Sequence, residues 1–150
     1  MTPGPCGKKF PKSARILSSE DFGIVLHAQG PGCIRLGRDS VSLCAQVHGH
    51  AGPVRFGFTV GKKNVARSVD RALVKRIMRE CAREALPEVR ALCAERGVCA
   101  DISLRWRTPL RVQGETTVAD AKALVRRSTE LAIAALFKRL RTAEPKAEPV

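Results

Sequence analysis

The stretch from Val54 to Leu86, VRFGFTVGKKNVARSVDRALVKRIMRECAREAL, limits the possible folds more than any other part of the chain. Val54, Phe56, Phe58 and Val60 alternate with Arg55, Gly57, Thr59 and Gly61. A period of two marks a strand with one apolar face. Lys62 and Lys63 end it, and after a short connection the period becomes helical. With Arg71 at zero, Lys75 falls at about 40°, Arg79 at about 80°, Arg83 at about 120° and Arg76 at about 140°. Leu73, Val74, Ile77, Met78, Cys81 and Ala85 occupy about 200° to 340°. The helix is cationic on one side and apolar on the other. Glu80 and Glu84 sit near the border, where they can pair with lysine or arginine without neutralising the middle of the basic face.

The charge of the whole chain points the same way. Among 150 residues, 27 Lys+Arg oppose 14 Asp+Glu, a net charge of +13. Such an excess suits a polyanion, and nucleic acid is favoured over a membrane because no segment approaches the ~18 apolar residues of a span. The start, MTPGPCGKKFPK, has cations but no apolar run behind them, so no signal peptide is expected and a cytoplasmic location is. The six cysteines then read as reduced thiols, most of them small core residues.

The length favours one domain, over residues 1–141, with residues 1–12 as a flexible arm and 142–150 as a disordered tail. A short helix is expected from Ser18 to about Ala28, and two strand pieces between Cys33 and Val47 around Gly37 to Asp39. The central strand and basic helix follow. Pro87 is expected to end that helix or break it before a second short helical segment reaching Arg96, with Gly97 as the stop. Cys99 to Arg107 reads as a strand in which Ile102, Leu104 and Trp106 alternate with Ser103, Arg105 and Arg107. From Thr117 to about Arg141 runs a helix with an apolar stripe of Val118, Ala121, Val125, Ala132, Ala135 and Leu136. This order gives an α+β class, a two-layer α/β sandwich with helices covering a small sheet.

The run RFGFTVGKKNVARSVDRALVKRIMRE closely resembles the signature of bacterial ribonuclease P protein subunits, and FPKSARILSSEDFGIVL resembles that family's start. Arg55, Gly57, Val60, Lys62 and Lys63 match the strand signature; Arg71, Lys75, Arg76, Arg79 and Glu80 match the helix signature. Ala72 and Leu73 stand where the family usually has asparagine and arginine, so one amide and one cation are missing from the contact surface. The resemblance implies a ribosomal-protein-S5-domain-2-like fold whose central sheet has a left-handed β-α-β crossover, against the usual right-handed rule. It implies binding to the ribonuclease P catalytic RNA, one to one, and to the 5′ leader of precursor transfer RNA, with no obligate protein partner. It also implies that the RNA, holding Mg2+, performs the endonucleolytic cut, and that the protein supplies no catalytic residue.

On these residues the RNA-subunit surface is expected at Lys62, Lys63, Arg67, Arg71, Lys75, Arg76, Arg79 and Arg83. The resemblance implies a second surface, a leader cleft between the first helix and the open face of the sheet, formed by Phe22, Leu26, Arg55, Gly57 and Thr59. Phe56 and Phe58 share a face with Val54 and Val60 and read as core rather than as base-stacking platforms. His48-x-His50 and the scattered cysteines have no zinc-type spacing, and Asp70 and Asp101 are isolated acids, so neither a protein-held metal nor a protein nuclease site is expected. The alternatives are a structural RNA-binding protein of ribosomal type and, from another class, a nuclease with its own metal site.

Overall fold

The computed structural model describes residues 14–16, 25, 32–114 and 116–143. The arm over 1–12, the first helix apart from Val25, and the tail from residue 144 lie outside the described residues. Strands β1 (Cys33–Arg38), β2 (Val41–His48), β3 (Val54–Val60) and β4 (Cys99–Trp106) form one sheet in the order β1-β2-β4-β3. Two helices, α1 (Ser68–Arg96) and α2 (Val118–Thr142), complete an α+β sandwich. β2 is antiparallel to β1 and β4, whereas β3 and β4 are parallel and joined through α1. Residues 14–16 run beside β3, where the Ile16 amide donates to the Phe56 carbonyl at 2.9 Å.

The register turns the period-two pattern into rows across the sheet. Ile34, Ala45, Ile102 and Phe56 align, as do Leu36, Leu43, Leu104 and Phe58. These rows face the apolar sides of α1 and α2, and Trp106 is fully buried beside Val41 and Val60. Phe56 is wholly buried and Phe58 half-buried against the same core, as the alternation predicts. Burying the apolar face of a sheet against two helices supplies the dominant stabilising term, at about 25 cal/mol per Å² removed from water.

The structure corrects the helix expected to end at Pro87. α1 runs unbroken for 29 residues, with Pro87 inside it. A proline there removes one backbone hydrogen bond and costs about 3 kcal/mol. Leu86 and Val89 on either side of it are buried and keep the chain on the core, while Pro87 itself is exposed. The stop at Gly97 is as expected: φ is 68°, and the amides of Gly97 and Val98 donate to the carbonyls of Ala94 and Cys93. α2 starts with a capping box between Thr117 and Asp120. Val118, expected in its apolar stripe, is instead 50% exposed, because the first residue after the cap stands off the sheet. Ser128 and Thr129 are buried in its place along the helix, the Thr129 hydroxyl donating to the Val125 carbonyl at 2.7 Å.

Asp39 ties the β1-β2 turn to α2. It adopts φ 53°, a left-handed conformation that aspartate tolerates, and accepts from the Ser128 hydroxyl at 2.8 Å and Arg127 at 3.2 Å. The Ser128 hydrogen bond, with help from Arg127, holds its carboxyl below the ordinary value of 3.8.

Two outcomes follow for stability. Replacing Pro87 by alanine restores the missing amide donor on an exposed side, and should raise the unfolding free energy by about 1 to 3 kcal/mol in urea titrations. A depressed carboxylate stabilises the fold above its unfolded pKa, and that contribution is lost as pH falls. The stability of the wild type should therefore drop more steeply below pH 3.8 than that of Asp39→Asn, measured by denaturation across that range.

Candidate nucleic-acid interface

The turn after β3 leads the basic residues onto the exposed side of α1. Lys62 and Lys63 are exposed in this turn, which is closed by the Val65 amide donating to the Gly61 carbonyl at 3.0 Å. Along α1, burial of Leu73, Val74, Ile77, Met78 and Cys81 against the core leaves Lys75, Arg76, Arg79 and Arg83 on the other side. Among the described residues Lys62, Lys63, Lys75, Arg76 and Arg83 make no hydrogen bond or ion pair. Arg79 lies over the Phe58 ring, 5.9 Å from its centroid, which fixes the guanidinium while leaving it exposed.

Two of the expected contact residues have structural tasks as well. Arg71 donates to the carbonyls of Val65 and Ala66 at 3.0 and 2.8 Å, tying the turn to the helix. Arg67 donates to the Val112 carbonyl at 3.1 Å and lies 3.8 Å from Asp70. Asp70, an isolated acid in the sequence, is 3% exposed and accepts the Val112 amide, so it docks the loop after β4 on the start of α1. Where these loops meet, a cavity of about 230 Å³ is lined by Lys63, Arg67 and Arg111 among others. Arg111 was not marked by the sequence, because its approach to the β3-α1 turn depends on the position of β4 in the sheet.

The acids on α1 do not neutralise this face. Glu80 and Glu84 turn to α2, where Arg126 meets them at 3.6 and 3.1 Å and also holds Glu130 at 3.2 Å. Hydrogen bonding to Glu84 raises the pKa of Arg126 further. Leu73, at the position where the family carries a cation, is 7% exposed in the core, so that departure from the signature is a packing residue.

On the sheet face away from α1 and α2, the candidates meet different neighbours. Gly57 and Thr59 pair in register with Ser103 and Arg105. Arg55 is held by Asp101, its Nε and Nη2 donating to the two carboxylate oxygens at 2.7 and 2.9 Å. His48 lies 3.4 Å from the same carboxylate. Phe22 and Leu26 lie outside the described residues. Three of the cysteines fit the reading as core thiols: Cys81, Cys93 and Cys99 are buried, and burial pushes the Cys81 thiol up to about 11. Among the described residues no cluster of three or more His, Cys, Asp or Glu side chains could hold a metal. No helix among them is long and apolar enough to cross a membrane.

A small α+β sandwich with an unneutralised cationic helix face is an RNA-binding type of protein. A family model describing Ribonuclease P matches residues 10–129, and the chain belongs to the ribonuclease P protein family. The Staphylococcus aureus RNase P protein superposes with a TM-score of 0.57 at 18% identity, over 83% of this chain and 96% of that one. A second structure of RNase P protein from Staphylococcus aureus gives 0.54 at 18% identity, over 93% and 99%. At such identity the likeness concerns the fold. None of the curated proteins matches the chain in sequence. Membership of the family gives the chain a role in ribonuclease P, in transfer RNA processing, and association with the ribonuclease P RNA.

Removing Arg126 should release Glu80 and Glu84 toward the basic face. Arg126→Gln is expected to weaken RNA binding about two- to threefold at low salt, measured by filter binding, in keeping with the small worth of exposed ion pairs. Glu80→Gln and Glu84→Gln together should reverse the loss.

Proposed function

We propose that this chain is the protein subunit of ribonuclease P, which holds the catalytic RNA through Lys62, Lys63, Arg67, Arg71, Lys75, Arg76, Arg79 and Arg83 in a one-to-one complex. The 5′ leader of precursor transfer RNA runs over the other sheet face, past Gly57 and Thr59, with Phe22 and Leu26 as further contacts and Arg55 at its border. The observation that carries this reading is the cationic side of α1, left without anionic partners while Arg126 draws Glu80 and Glu84 away. Cations set against RNA displace condensed counterions and offset phosphate repulsion.

In this reading the scissile phosphodiester is cut by the RNA subunit, and Mg2+ is held by RNA. Four acids support that division, since Asp70, Asp101, Glu80 and Glu84 are each engaged by arginine. The protein contributes charge, orientation of the leader and a preference for precursor over mature transfer RNA.

Reconstitution tests this directly. Adding the protein to its cognate RNA should lower the Mg2+ concentration needed for precursor cleavage. Salt-sensitive binding without any stimulation at low Mg2+ would contradict the reading and point to a structural RNA-binding protein. Reversing charge at Lys75 and Arg79 together should weaken assembly with the catalytic RNA by at least about tenfold.

A further inference from the structure

Because β3 and β4 are parallel, both end at the same rim of the sheet. The turn that leaves β3 and the loop that leaves β4 therefore meet there, and three hydrogen bonds tether one to the other. The Leu110 amide donates to the Asn64 carbonyl at 3.0 Å, the Val112 amide to Asp70 at 3.3 Å, and Arg67 to the Val112 carbonyl at 3.1 Å. Leu110 is also anchored by its side chain, which is buried in the core. Arg111 stands between these two fixed residues and is left facing solvent. Its Nε donates to the Gln113 side chain, and its terminal nitrogens make no hydrogen bond or ion pair among the described residues.

The cavity of about 230 Å³ at this rim takes its cations from both segments, Lys63 and Arg67 before α1 and Arg111 after β4. Asn64, also on its wall, makes no side-chain hydrogen bond among the described residues, so its amide is a neutral donor. Asp70 faces the group from α1, but its carboxylate is 3% exposed and is taken by the Val112 amide and Arg67. Three cations against one occupied carboxylate attract an anion. A volume below the ~300–1,000 Å³ of pockets for drug-sized ligands suits a compact one, a single phosphate group rather than a whole nucleotide. Guanidinium groups offer paired donors to phosphate oxygens, and the tethers set them in place before the anion arrives.

We propose that this cavity holds one backbone phosphate of the catalytic RNA, with Lys63, Arg67 and Arg111 as its cations and the Asn64 amide as a further donor. The RNA-binding surface thus leaves α1 and continues onto the loop after β4, which the helical period does not reach. The proposal rests on the reading of the α1 face as the contact with the catalytic RNA and extends it. The cavity adjoins the exposed turn of Lys62 and Lys63 that leads onto that face, so the phosphate is assigned to the catalytic RNA rather than to the leader.

Binding of the full chain to its cognate catalytic RNA, measured by filter retention across a salt series, tests this. Arg111→Gln should weaken assembly about tenfold and flatten the slope of log affinity against log salt by about 0.7 to 0.9. Arg111→Lys should recover part of the loss, and the unfolding midpoint of both variants should match the wild type, since Arg111 is exposed. Ala66→Glu, at the wall of the cavity, should weaken assembly more than Ala134→Glu on the exposed side of α2, although both change the net charge equally. Once assembled at saturating protein, the Arg111→Gln holoenzyme should bind precursors with long and short leaders as the wild type does. Unchanged assembly by Arg111→Gln, while charge reversal at Lys75 and Arg79 still weakens it, would overturn the proposal and leave the α1 reading standing. So would equal losses from the two glutamates, a loss matched by a lowered unfolding midpoint, or a loss confined to the long-leader precursor, which would assign the cavity to the leader. Assembly that neither Arg111→Gln nor the charge reversal weakens would overturn both.

Discussion

Parallel pairing of β3 with β4 is the constraint on which both surfaces depend. It forces the chain through α1 before the sheet can close, so the helix that carries the basic residues lies directly over the strand that precedes it. The same pairing sets Phe56 beside Ile102 and Phe58 beside Leu104 on the helix side, and Arg55 beside Asp101 and Thr59 beside Arg105 on the other. One register therefore decides what the core contains and which charges meet on the far face. A slip of one residue would exchange the two sets and lose both.

Charge is separated by pairing as much as by position. Five acids close to the basic surfaces are each drawn to a chosen arginine: Glu80 and Glu84 to Arg126, Asp70 to Arg67, Asp101 to Arg55, Asp39 to Arg127. The exposed or half-exposed pairs on Glu80, Glu84 and Asp39 add little to stability. Their larger effect is on the map of potential, since Lys62, Lys63, Lys75, Arg76, Arg79 and Arg83 keep no acidic partner among the described residues. Steering and counterion release both follow from cations that have no internal anion to compete with RNA.

The helix face was legible in the sequence because one helical period fixes it: burying Leu73, Val74 and Ile77 leaves Lys75, Arg76, Arg79 and Arg83 no other side to take. Gly97 and Thr117 were legible as ends because their roles are local. Pro87 misled because a local cost was outweighed by distant packing of Leu86 and Val89. The sheet face was readable only in part. Alternation assigned Arg105 and Ser103 to the side away from Trp106, but nothing local said that β4 would enter the middle of the sheet. Without that, the pairing of Arg55 with Asp101 and the approach of Arg111 to the β3-α1 turn could not be seen.

The division of labour between the two surfaces is tested most directly by photo-crosslinking within one holoenzyme, with the reactive group placed first in the catalytic RNA and then in the leader of the precursor. Peptides from Lys62 to Arg83 are expected to carry the crosslinks from the catalytic RNA, and peptides spanning Thr59 and Ser103 to Arg107 those from the leader. Leader crosslinks that fall on the Lys62 to Arg83 peptides and miss β4 would contradict the separation of the two surfaces.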